Sequence, residues 1–415
     1  MTTRLSAKRQ SNHKKNNHKQ SDHKLSNHRK HRARRVLTLG TIGALAFGAS
    51  VAAMASAAGP STTAAADCAS GITFTRSDTS AAVGDNPRHV VTGDLDGDGN
   101  ADVVAADNDA DAVSVLLGTG DGTFGEATAY TVGDKPYQTV IADLDADGSP
   151  DLATADFDGG TVSVLPGNGD GTFGDATRYT VGGGARSLVP GDIDGDGNLD
   201  LAVAEESGGG VSLLLGDGTG SFTVDLEAVT VTRPHGLALT DFDGDGDLDV
   251  ATASVATAGG VSVALGNGDG TFGDVTQYAS VARLYSIAPG DFDGDGETDL
   301  ATISNGSNTL EIFTGNGDGT FDDSVAYTTS ALPVSVNAAD LDGDDVTDVL
   351  VSSLNGDSVT VFQGTSGGAL TELAELTGDG AYEAAAADLT SDGTQDLVVA
   401  SSADDQVDVF TGSCD

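Results

Sequence analysis

The chain has no tryptophan, only two cysteines, and few basic residues beyond its N-terminal region. Twelve of its 19 Lys and Arg lie in the first 35 residues, and from Asp67 onward the remaining seven face 63 Asp and Glu. So acidic a surface repels nucleic acids and anionic membranes, and it attracts cations. Because only two histidines follow residue 67, no Ser-His-Asp or Cys-His arrangement for nucleophilic catalysis can be assembled.

The N-terminal region has the composition of an export signal. Basic residues up to Arg35 are followed by a run rich in Ala and Gly over residues 36–58, and Ala55, Ser56 and Ala57 form a cleavage motif. An uncleaved membrane anchor is the alternative, since the run is long enough to span a bilayer. Its weak hydrophobicity favours cleavage. We therefore expect a signal at residues 1–57, a short linker at 58–67, and a secreted or cell-wall-associated domain at 68–415 that is free of the membrane.

One sequence unit recurs seven times along that domain. Each copy begins at an aspartate, and successive copies are 48 to 50 residues apart. The leading residues are Asp94, Asp143, Asp192, Asp241, Asp291, Asp340 and Asp388. A period near fifty with short β-type runs and glycine turns predicts propeller blades, whereas the amphipathic helices of a helical solenoid are absent. We predict an all-β fold, a seven-bladed β-propeller with four-stranded blades.

Each unit is expected to form four strands, which in the first unit are residues 89–93, 102–106, 112–117 and 124–132. The last two are joined by a turn of the type Gly-Asn-Gly-Asp-Gly-Thr-Phe, in which glycine supplies the positive φ angles of a tight hairpin. The phenylalanine of this turn is expected to pack blade against blade. The same is expected of a tyrosine that recurs in the fourth strand, as Tyr130, Tyr179, Tyr278 and Tyr327.

The two ends of the domain are complementary. The last unit stops after its third strand, at residues 407–411, while residues 72–83 form a strand that no blade precedes. We expect this N-terminal strand to complete the last blade, because that removes two exposed strand edges. Cys68 precedes the donated strand and Cys414 follows the last one. In an exported protein, a disulfide between them is expected to hold the ring closed.

An aspartate-rich loop follows the first strand of every unit. In the first copy, residues 94–102, carboxylates stand at positions 1, 3, 5 and 9, and glycine at position 6 permits a sharp turn. Alternate side chains and a backbone carbonyl near position 7 supply the oxygens that Ca²⁺ requires, whereas Mg²⁺ is less suited to an all-protein cage. Simple Asx turns are the alternative, but carboxylates so close together repel each other strongly without a cation. An EF-hand is excluded, because no helices flank the loop.

The predicted calcium ligands are the oxygen-bearing residues of these loops. They are Asp94, Asp96, Asp98, Asn100 and Asp102; Asp143, Asp145, Asp147, Ser149 and Asp151; Asp192, Asp194, Asp196, Asn198 and Asp200; Asp241, Asp243, Asp245, Asp247 and Asp249; Asp291, Asp293, Asp295, Glu297 and Asp299; Asp340, Asp342, Asp344 and Asp348; and Asp388, Asp392 and Asp396. In the sixth loop Asp345 replaces the glycine of position 6, and in the seventh Thr390 replaces the carboxylate of position 3. We therefore expect about five strong Ca²⁺ sites and two weaker ones.

These loops, at this period and joined to the glycine-rich turns, resemble the FG-GAP and VCBS repeat proteins, whose best-known propeller is the head of integrin α subunits. The resemblance covers residues 68–415. It implies that calcium lies between the first and second strands of a blade, on the face opposite the usual ligand surface, and that its role is structural. The sixth and seventh loops depart from the family pattern.

The opposite face is where a ligand is expected. Six positions before each leading aspartate the chain has Arg88, Tyr137, Arg186, His235, Tyr285, Val334 and Tyr382, and eight positions before three of them it has Lys135, Arg233 and Arg283. Five of the seven basic residues of the domain are thus expected to lie at the same height along the axis of the ring. Arginine and tyrosine suit anionic or sugar ligands, so Arg88, Tyr137, Arg186, His235, Tyr285 and Tyr382 form the predicted ligand site. The alternative is that the cations pair with acids of neighbouring loops, such as Asp109 and Glu206.

The sequence therefore predicts a monomeric, calcium-binding propeller that recognises an extracellular carbohydrate or protein ligand and is not an enzyme. No nucleic-acid partner is expected. A polysaccharide lyase or hydrolase is the alternative, because carboxylates are abundant and Tyr, His and Arg lie together at the channel mouth.

Overall fold

The structure, a computed structural model, describes Cys68 and residues 71–414. The predicted export signal at 1–57 and the linker at 58–67 therefore lie outside the described residues. Within the described part, every regular element is a β-strand, and the 28 strands form seven antiparallel sheets of four. The predicted all-β, seven-bladed propeller is confirmed. The described residues include no helix long and apolar enough to cross a membrane.

The strands are numbered along the chain and grouped by their place in the blade. First strands are β2 (Pro87–Gly93), β6 (Pro136–Ala142), β10 (Ala185–Gly191), β14 (Pro234–Thr240), β18 (Leu284–Gly290), β22 (Pro333–Ala339) and β26 (Ala381–Ala387). Second strands are β3 (Asp102–Asp107), β7 (Asp151–Asp156), β11 (Asp200–Glu205), β15 (Asp249–Ser254), β19 (Asp299–Ser304), β23 (Asp348–Ser353) and β27 (Asp396–Ser401). Third strands are β4 (Ala112–Leu116), β8 (Thr161–Leu165), β12 (Gly210–Gly216), β16 (Gly260–Ala264), β20 (Thr309–Phe313), β24 (Ser358–Gln363) and β28 (Gln406–Cys414). Fourth strands are β5 (Thr128–Thr131), β9 (Thr177–Thr180), β13 (Phe222–Thr230), β17 (Thr276–Ala279), β21 (Val325–Thr328), β25 (Thr371–Thr377) and β1 (Ile72–Ala82).

The first strands surround the centre of the ring. Each contacts the first strands of both neighbouring blades in an unbroken cycle, which includes the contact between β26 and β2. The second strands are buried along their whole length, as in β3. Both of their faces are covered by adjacent blades, and this accounts for their continuous runs of Val, Ala and Leu. The fourth strands are mostly exposed, as in β5.

The ring is closed by the N-terminal strand. β1 pairs antiparallel with β28 in a register that runs from Ile72 opposite Cys414 to Ala82 opposite Gln406. A disulfide joins Cys68 to Cys414, with their Cα atoms 4.9 Å apart. Cys68 is buried, and its N–H donates to the carbonyl of Asp342 in the sixth blade. The predicted closure of the last blade and its disulfide are confirmed.

The predicted fourth strand at residues 124–132 is partly wrong. Phe124 forms only a single bridge to Gly118, and regular pairing resumes at β5. Between them, Gly125 donates its N–H to the carbonyl of Leu117, so the turn closes as a small separate loop before the strand begins. The second, fourth and fifth blades show the same bridge.

The recurrent aromatic residues pack between blades, as predicted. The ring of Tyr130 meets the ring of Phe173 in the next blade edge to face, with centroids 5.5 Å apart. Its hydroxyl also accepts the N–H of Phe173 at 3.3 Å. Tyr179 with Phe222, and Tyr278 with Phe321, repeat the edge-to-face packing. Such pairs stabilise by about 1 kcal/mol beyond the area they bury.

Candidate functional site

Each Asp loop is shaped by its own carboxylates. In the first loop, the N–H groups of Gly97 and Gly99 donate to the two oxygens of Asp94 at 2.8 and 3.0 Å. Both glycines have positive φ, +75° and +89°, which is the conformation that favours glycine. Asp102 accepts from the N–H of Leu95 and from that of Gly118, each at 2.7 Å. The last carboxylate of the loop therefore fixes both its beginning and the turn after the third strand.

The structure brings carboxylates together in the first five loops. In the first four loops the residues at positions 1, 3 and 9 place oxygens within 4.8 Å of one another, and in the fifth loop positions 1, 3 and 5 do so. These groups are Asp94, Asp96 and Asp102; Asp143, Asp145 and Asp151; Asp192, Asp194 and Asp200; Asp241, Asp243 and Asp249; and Asp291, Asp293 and Asp295. In the first loop the position-5 carboxylate, Asp98, accepts the N–H of Asn100 at 2.8 Å. Ligation by positions 5 and 7 stays a prediction.

The chemistry of these groups fits a hard cation. Burial, followed by the charges of Asp96 and Asp94, raises the pKa of Asp102 to about 6, although two backbone N–H groups oppose the shift. Asp192 Oδ1 and Asp342 Oδ1 are buried without a hydrogen-bond partner in the described part of the chain. Buried carboxylate oxygens that lack a donor suit an ion that takes oxygen ligands, such as Ca²⁺.

The two divergent loops keep their shape, but in each of them a neutral side chain donates to one carboxylate oxygen. Asp345 takes the glycine position of the sixth loop with a φ of +66°, and its N–H still donates to Asp340 Oδ2 at 3.1 Å. However, the Gln363 amide donates to Asp342 Oδ2 at 2.6 Å. In the seventh loop, the Thr390 hydroxyl donates to Asp396 at 3.1 Å. A neutral side chain thus engages a carboxylate in each loop, which supports the expected weaker binding there.

The Asp loops also join neighbouring blades. In four of the blades, the turn after the third strand donates an N–H to the carbonyl of loop position 2 in the blade before it. Gly171 donates in this way to Leu95 at 3.1 Å, and Gly319 donates to Phe242 at 3.0 Å. A cation that holds such a loop therefore also holds the contact between two blades.

The opposite ends of the first strands enclose a pocket. It has a volume of about 1030 Å³ with its open mouth included, and residues of all seven first strands line it. All six predicted ligand residues are among the lining residues. They are the second residues of their strands, whereas the Asp loops follow the last residues, so the predicted ligand residues and the loops lie at opposite ends of the same strands.

Arg88 is held by two tyrosines. Its Nη1 donates to the hydroxyl of Tyr137 at 2.5 Å and to that of Tyr382 at 3.1 Å, and the two hydroxyls are 3.1 Å apart. The guanidinium carbon lies 5.2 and 4.9 Å from the two ring centroids, within the range of a cation–π contact. Among the described residues, no carboxylate lies within 4.0 Å of this guanidinium.

Arg186 has both an aromatic and an acidic neighbour. Its guanidinium carbon lies 3.7 Å from the Tyr137 centroid, and Nη1 lies 3.4 Å from Glu206. Glu206 also pairs with Arg233 at 2.5 Å. His235 stacks on Tyr285 with centroids 4.0 Å apart, and burial, then the charge of Arg186, lowers its pKa well below its ordinary value. The alternative of pairing with loop acids therefore holds for Arg186 and Arg233 but not for Arg88.

Lys135, Arg233 and Arg283, which stand eight residues before a leading aspartate, lie outside the pocket lining. Lys135 pairs with Asp109 at 2.5 Å, which is the internal pairing that the alternative predicted. Arg283 is exposed and forms no ion pair within the described residues. Of these three residues, Lys135 and Arg233 thus form ion pairs, whereas Arg283 is exposed to solvent.

Sequence reasoning missed a second ring of pocket residues, one position after the first. His89, Gln138, Ser187, Gly236, Ser286, Ser335 and Glu383 all line the pocket. In a regular strand these side chains would point away from those of position −6. Every first strand, however, shifts register against its second strand at position −6, as between Pro87 and His89 in β2. Such β-bulges re-aim side chains, and the sevenfold recurrence of mostly polar residues at position −5 was the available signal.

Glu383 belongs to this second ring. It is buried, accepts from the Asn337 amide at 2.5 Å, and lies 3.9 Å from Nε2 of His89. Burial raises the pKa of Glu383 to about 7 and lowers that of His89 to about 3. Near neutral pH the pocket therefore holds a carboxyl that is partly protonated beside an uncharged imidazole.

Comparison with known proteins places this architecture in a family. A model described as an FG-GAP-like repeat matches residues 94–154, 143–203, 192–252, 241–302 and 291–351, which together span more than half of the chain. The chain belongs to the FG-GAP-like repeat family. No match to this FG-GAP repeat protein is found among curated proteins.

Several solved structures share the fold of this FG-GAP repeat protein. A lectin of Agrocybe aegerita that recognises non-reducing terminal N-acetylglucosamine is 21% identical with a TM-score of 0.51, over 76% of this chain and 85% of its own. A putative 6-phosphogluconolactonase of Bacteroides uniformis is 18% identical with a TM-score of 0.55, over 72% and 87%. A periplasmic gluconolactonase of Pseudomonas aeruginosa is 16% identical with a TM-score of 0.52, over 71% and 86%. At these identities the likeness concerns the fold alone.

Proposed function

We propose that this FG-GAP repeat protein is an exported recognition module that binds an extracellular carbohydrate or protein ligand in its central pocket. The observation that carries the proposal is the concentration of Arg88, Arg186, Tyr137, Tyr285 and Tyr382 around one cavity, in a domain with only seven Lys and Arg. Concave sites with largely apolar walls and a few convergent polar groups are the usual form of ligand pockets.

Calcium in the Asp loops has a structural role in this proposal. The loops present only oxygen donors, and Ca²⁺ tolerates the irregular geometry of such cages better than Mg²⁺ does. Because several loops also accept an N–H from the next blade, as Leu95 does from Gly171, the ion stabilises the ring and takes no part in ligand contact. We expect about five tightly bound ions and weaker binding in the sixth and seventh loops.

Export is part of the same proposal. The Cys68–Cys414 disulfide supports it, because disulfides persist in oxidising compartments outside the cytoplasm. We expect the chain in the culture medium or in the cell-wall fraction as a monomer. N-terminal sequencing of that material is expected to begin after Ala57 or within the next ten residues, and light scattering gives its mass.

Binding is tested with the exported domain on a glycan array and by pull-down from cell walls, both in Ca²⁺. Tyr285→Ala, which removes a ring from the pocket, is expected to abolish binding. Arg283→Ala, two residues earlier in the chain and exposed on the rim, is the control and is expected to bind normally. Melting temperatures of both variants separate loss of the site from loss of the fold. Absence of any ligand, or binding that survives Tyr285→Ala, contradicts the proposal.

A hydrolase or lyase is the second candidate, and the pair of Glu383 and His89 in the pocket favours it. A carboxyl with a pKa of about 7 is suited to general acid–base work near neutral pH. The test is an assay of polyuronate depolymerisation and lactone hydrolysis, with Glu383→Gln as the inactivating variant. Turnover that Glu383→Gln removes would replace the binding-module proposal by an enzyme.

A further inference from the structure

We infer that the pocket recognises a saccharide that carries a carboxylate, which it binds through the unpaired edges of the Arg88 and Arg186 guanidinium groups. This inference rests on the proposed function and adds to it the class of the ligand.

The two arginines each keep one edge of the guanidinium free. Nη1 of Arg88 donates to two tyrosine hydroxyls. Its buried Nε has no hydrogen-bond partner, and Nη2 has none among the described residues. Arg186 turns Nη1 toward Glu206, and its buried Nε likewise has no partner. The Nε–Nη2 edge is a planar pair of donors that matches the two oxygens of a carboxylate. A buried N–H without an acceptor is costly, so an acidic ligand relieves a penalty that the free protein carries.

The charge of the pocket selects for an anion. Two guanidinium groups, those of Arg88 and Arg186, line the pocket. Among the described residues, the only carboxylate within 4.0 Å of either is that of Glu206, which also pairs with Arg233 outside the lining. The two histidines of the pocket are held uncharged by burial, and Glu383 is largely protonated below neutral pH. In a domain with 62 acidic residues, a cavity lined by two arginines attracts an anion that the remaining surface repels.

The walls suit a sugar ring. Tyr137, Tyr285 and Tyr382 line the pocket with flat rings, the surface on which sugars stack. Beneath them the second ring supplies hydroxyl and amide groups, including Gln138, Ser187, Ser286 and Ser335. The hydrogen-bond donors and acceptors of this second ring suit a ligand rich in hydroxyl groups.

The first experiment compares ligands on the wild-type protein in Ca²⁺. The panel holds uronic-acid and sialylated oligosaccharides, their carboxyl-reduced neutral counterparts, sulfated neutral glycans, and peptides with a free C-terminal carboxylate. We expect binding to acidic sugars that weakens about tenfold or more on carboxyl reduction, the loss of one charge-assisted hydrogen-bond pair. Equal binding of neutral or sulfated glycans, or binding of peptides alone, overturns the inference but leaves a recognition module. No binding at all overturns the proposed function as well.

The second experiment tests the guanidinium edges. Arg88→Lys and Arg186→Lys keep the positive charge but lose the planar pair of donors, and Arg283→Lys makes the same change on the exposed rim. Each pocket variant is expected to weaken binding of the acidic sugar about tenfold, with little change for its neutral counterpart and none for the Arg283 control. Equal losses for acidic and neutral sugars overturn the assignment. If one pocket variant fails to fold, the other variant provides the test. Binding of the acidic sugar that is insensitive to added NaCl would also contradict the inference.

Discussion

Removal of the Cys68–Cys414 disulfide is expected to lower the free energy of unfolding by about 6 kcal/mol. The two cysteines are 346 residues apart in sequence. In the chain-entropy relation, a closed loop of that length removes about 19 cal/mol/K from the unfolded chain, which is about 6 kcal/mol at 25 °C. The unfolding entropy is about 2.1 cal/mol/K per residue, so for roughly 345 residues the loss corresponds to a melting temperature about 8 °C lower.

The measurement is scanning calorimetry in Ca²⁺ on three samples: the oxidised protein, the reduced protein, and the Cys68→Ser, Cys414→Ser double variant. The reduced protein is the control, because it keeps the buried side chain of Cys68 while the bond is lost. Both altered samples are expected to melt at the same lower temperature. If the melting temperature falls by less than about 2 °C in both altered samples, the reasoning is refuted, since pairing of β1 with β28 would then suffice to close the ring. A decrease only in the variant would assign the effect to the packing of Cys68.

Three further predictions concern the Asp loops, the pocket and the packing of the blades. Chelation of Ca²⁺ is expected to lower the melting temperature, since each site contributes about 2.7 kcal/mol at 100 times its Kd. Calorimetric titration should count one ion fewer in Asp96→Ala and none fewer in Asp121→Ala, and an unchanged melt in EDTA would contradict the role of calcium. Burial raises the pKa of Glu383 from 4.5 to about 7, so the folded state binds the proton more tightly and loses stability as pH rises between those values. Glu383→Gln should therefore gain about 2–3 kcal/mol relative to wild type between pH 5 and pH 8 in urea unfolding, and a constant difference would be evidence against the shift. A Cβ at Gly133 would lie 2.2 Å from Asp156 Oδ2, so Gly133→Ala should cost about 1–3 kcal/mol in the same assay. Gly125→Ala, whose nearest atom is 3.8 Å away, is the control and should be close to neutral.

The blades were predictable because the sequence repeats them with local signals. The Asp loop marks the end of every first strand, and the glycine turn marks the end of every third strand except the last, so the strand order follows from two motifs and their spacing. The donated strand was predictable by counting, since one blade lacks its fourth strand and residues 72–83 have no blade. Cys68 and Cys414 then lie at the ends that must meet.

The pocket was predictable only in part, because a bulge changes which side chains share a face. In a regular strand only one of two successive residues faces the channel, either the sixth or the fifth before the leading aspartate. The sequence pattern of Arg and Tyr predicted the sixth. The register shift at the start of each first strand turns both toward the channel, so Glu383 became visible only with the structure. The partners of the basic residues were equally inaccessible. Whether Arg88 meets a carboxylate or a tyrosine depends on contacts with residues 49 and 294 positions away, which no local pattern encodes.

Pocket and Asp loops are coupled by the strands that carry both. Each first strand is seven residues long, which at about 3.3 Å per residue separates its two ends by about 20 Å. A cation in a loop is thus too far away to contact a ligand at the mouth. It fixes instead the register at which the strand leaves the loop, because Asp102 ties the start of its loop to the turn after the third strand. The positions of Arg88 and its counterparts follow from that register. In the proposed function, calcium would therefore act on ligand binding only through the placement of the first strands. In the sixth and seventh blades, whose loops diverge, that placement would depend most on protein contacts alone.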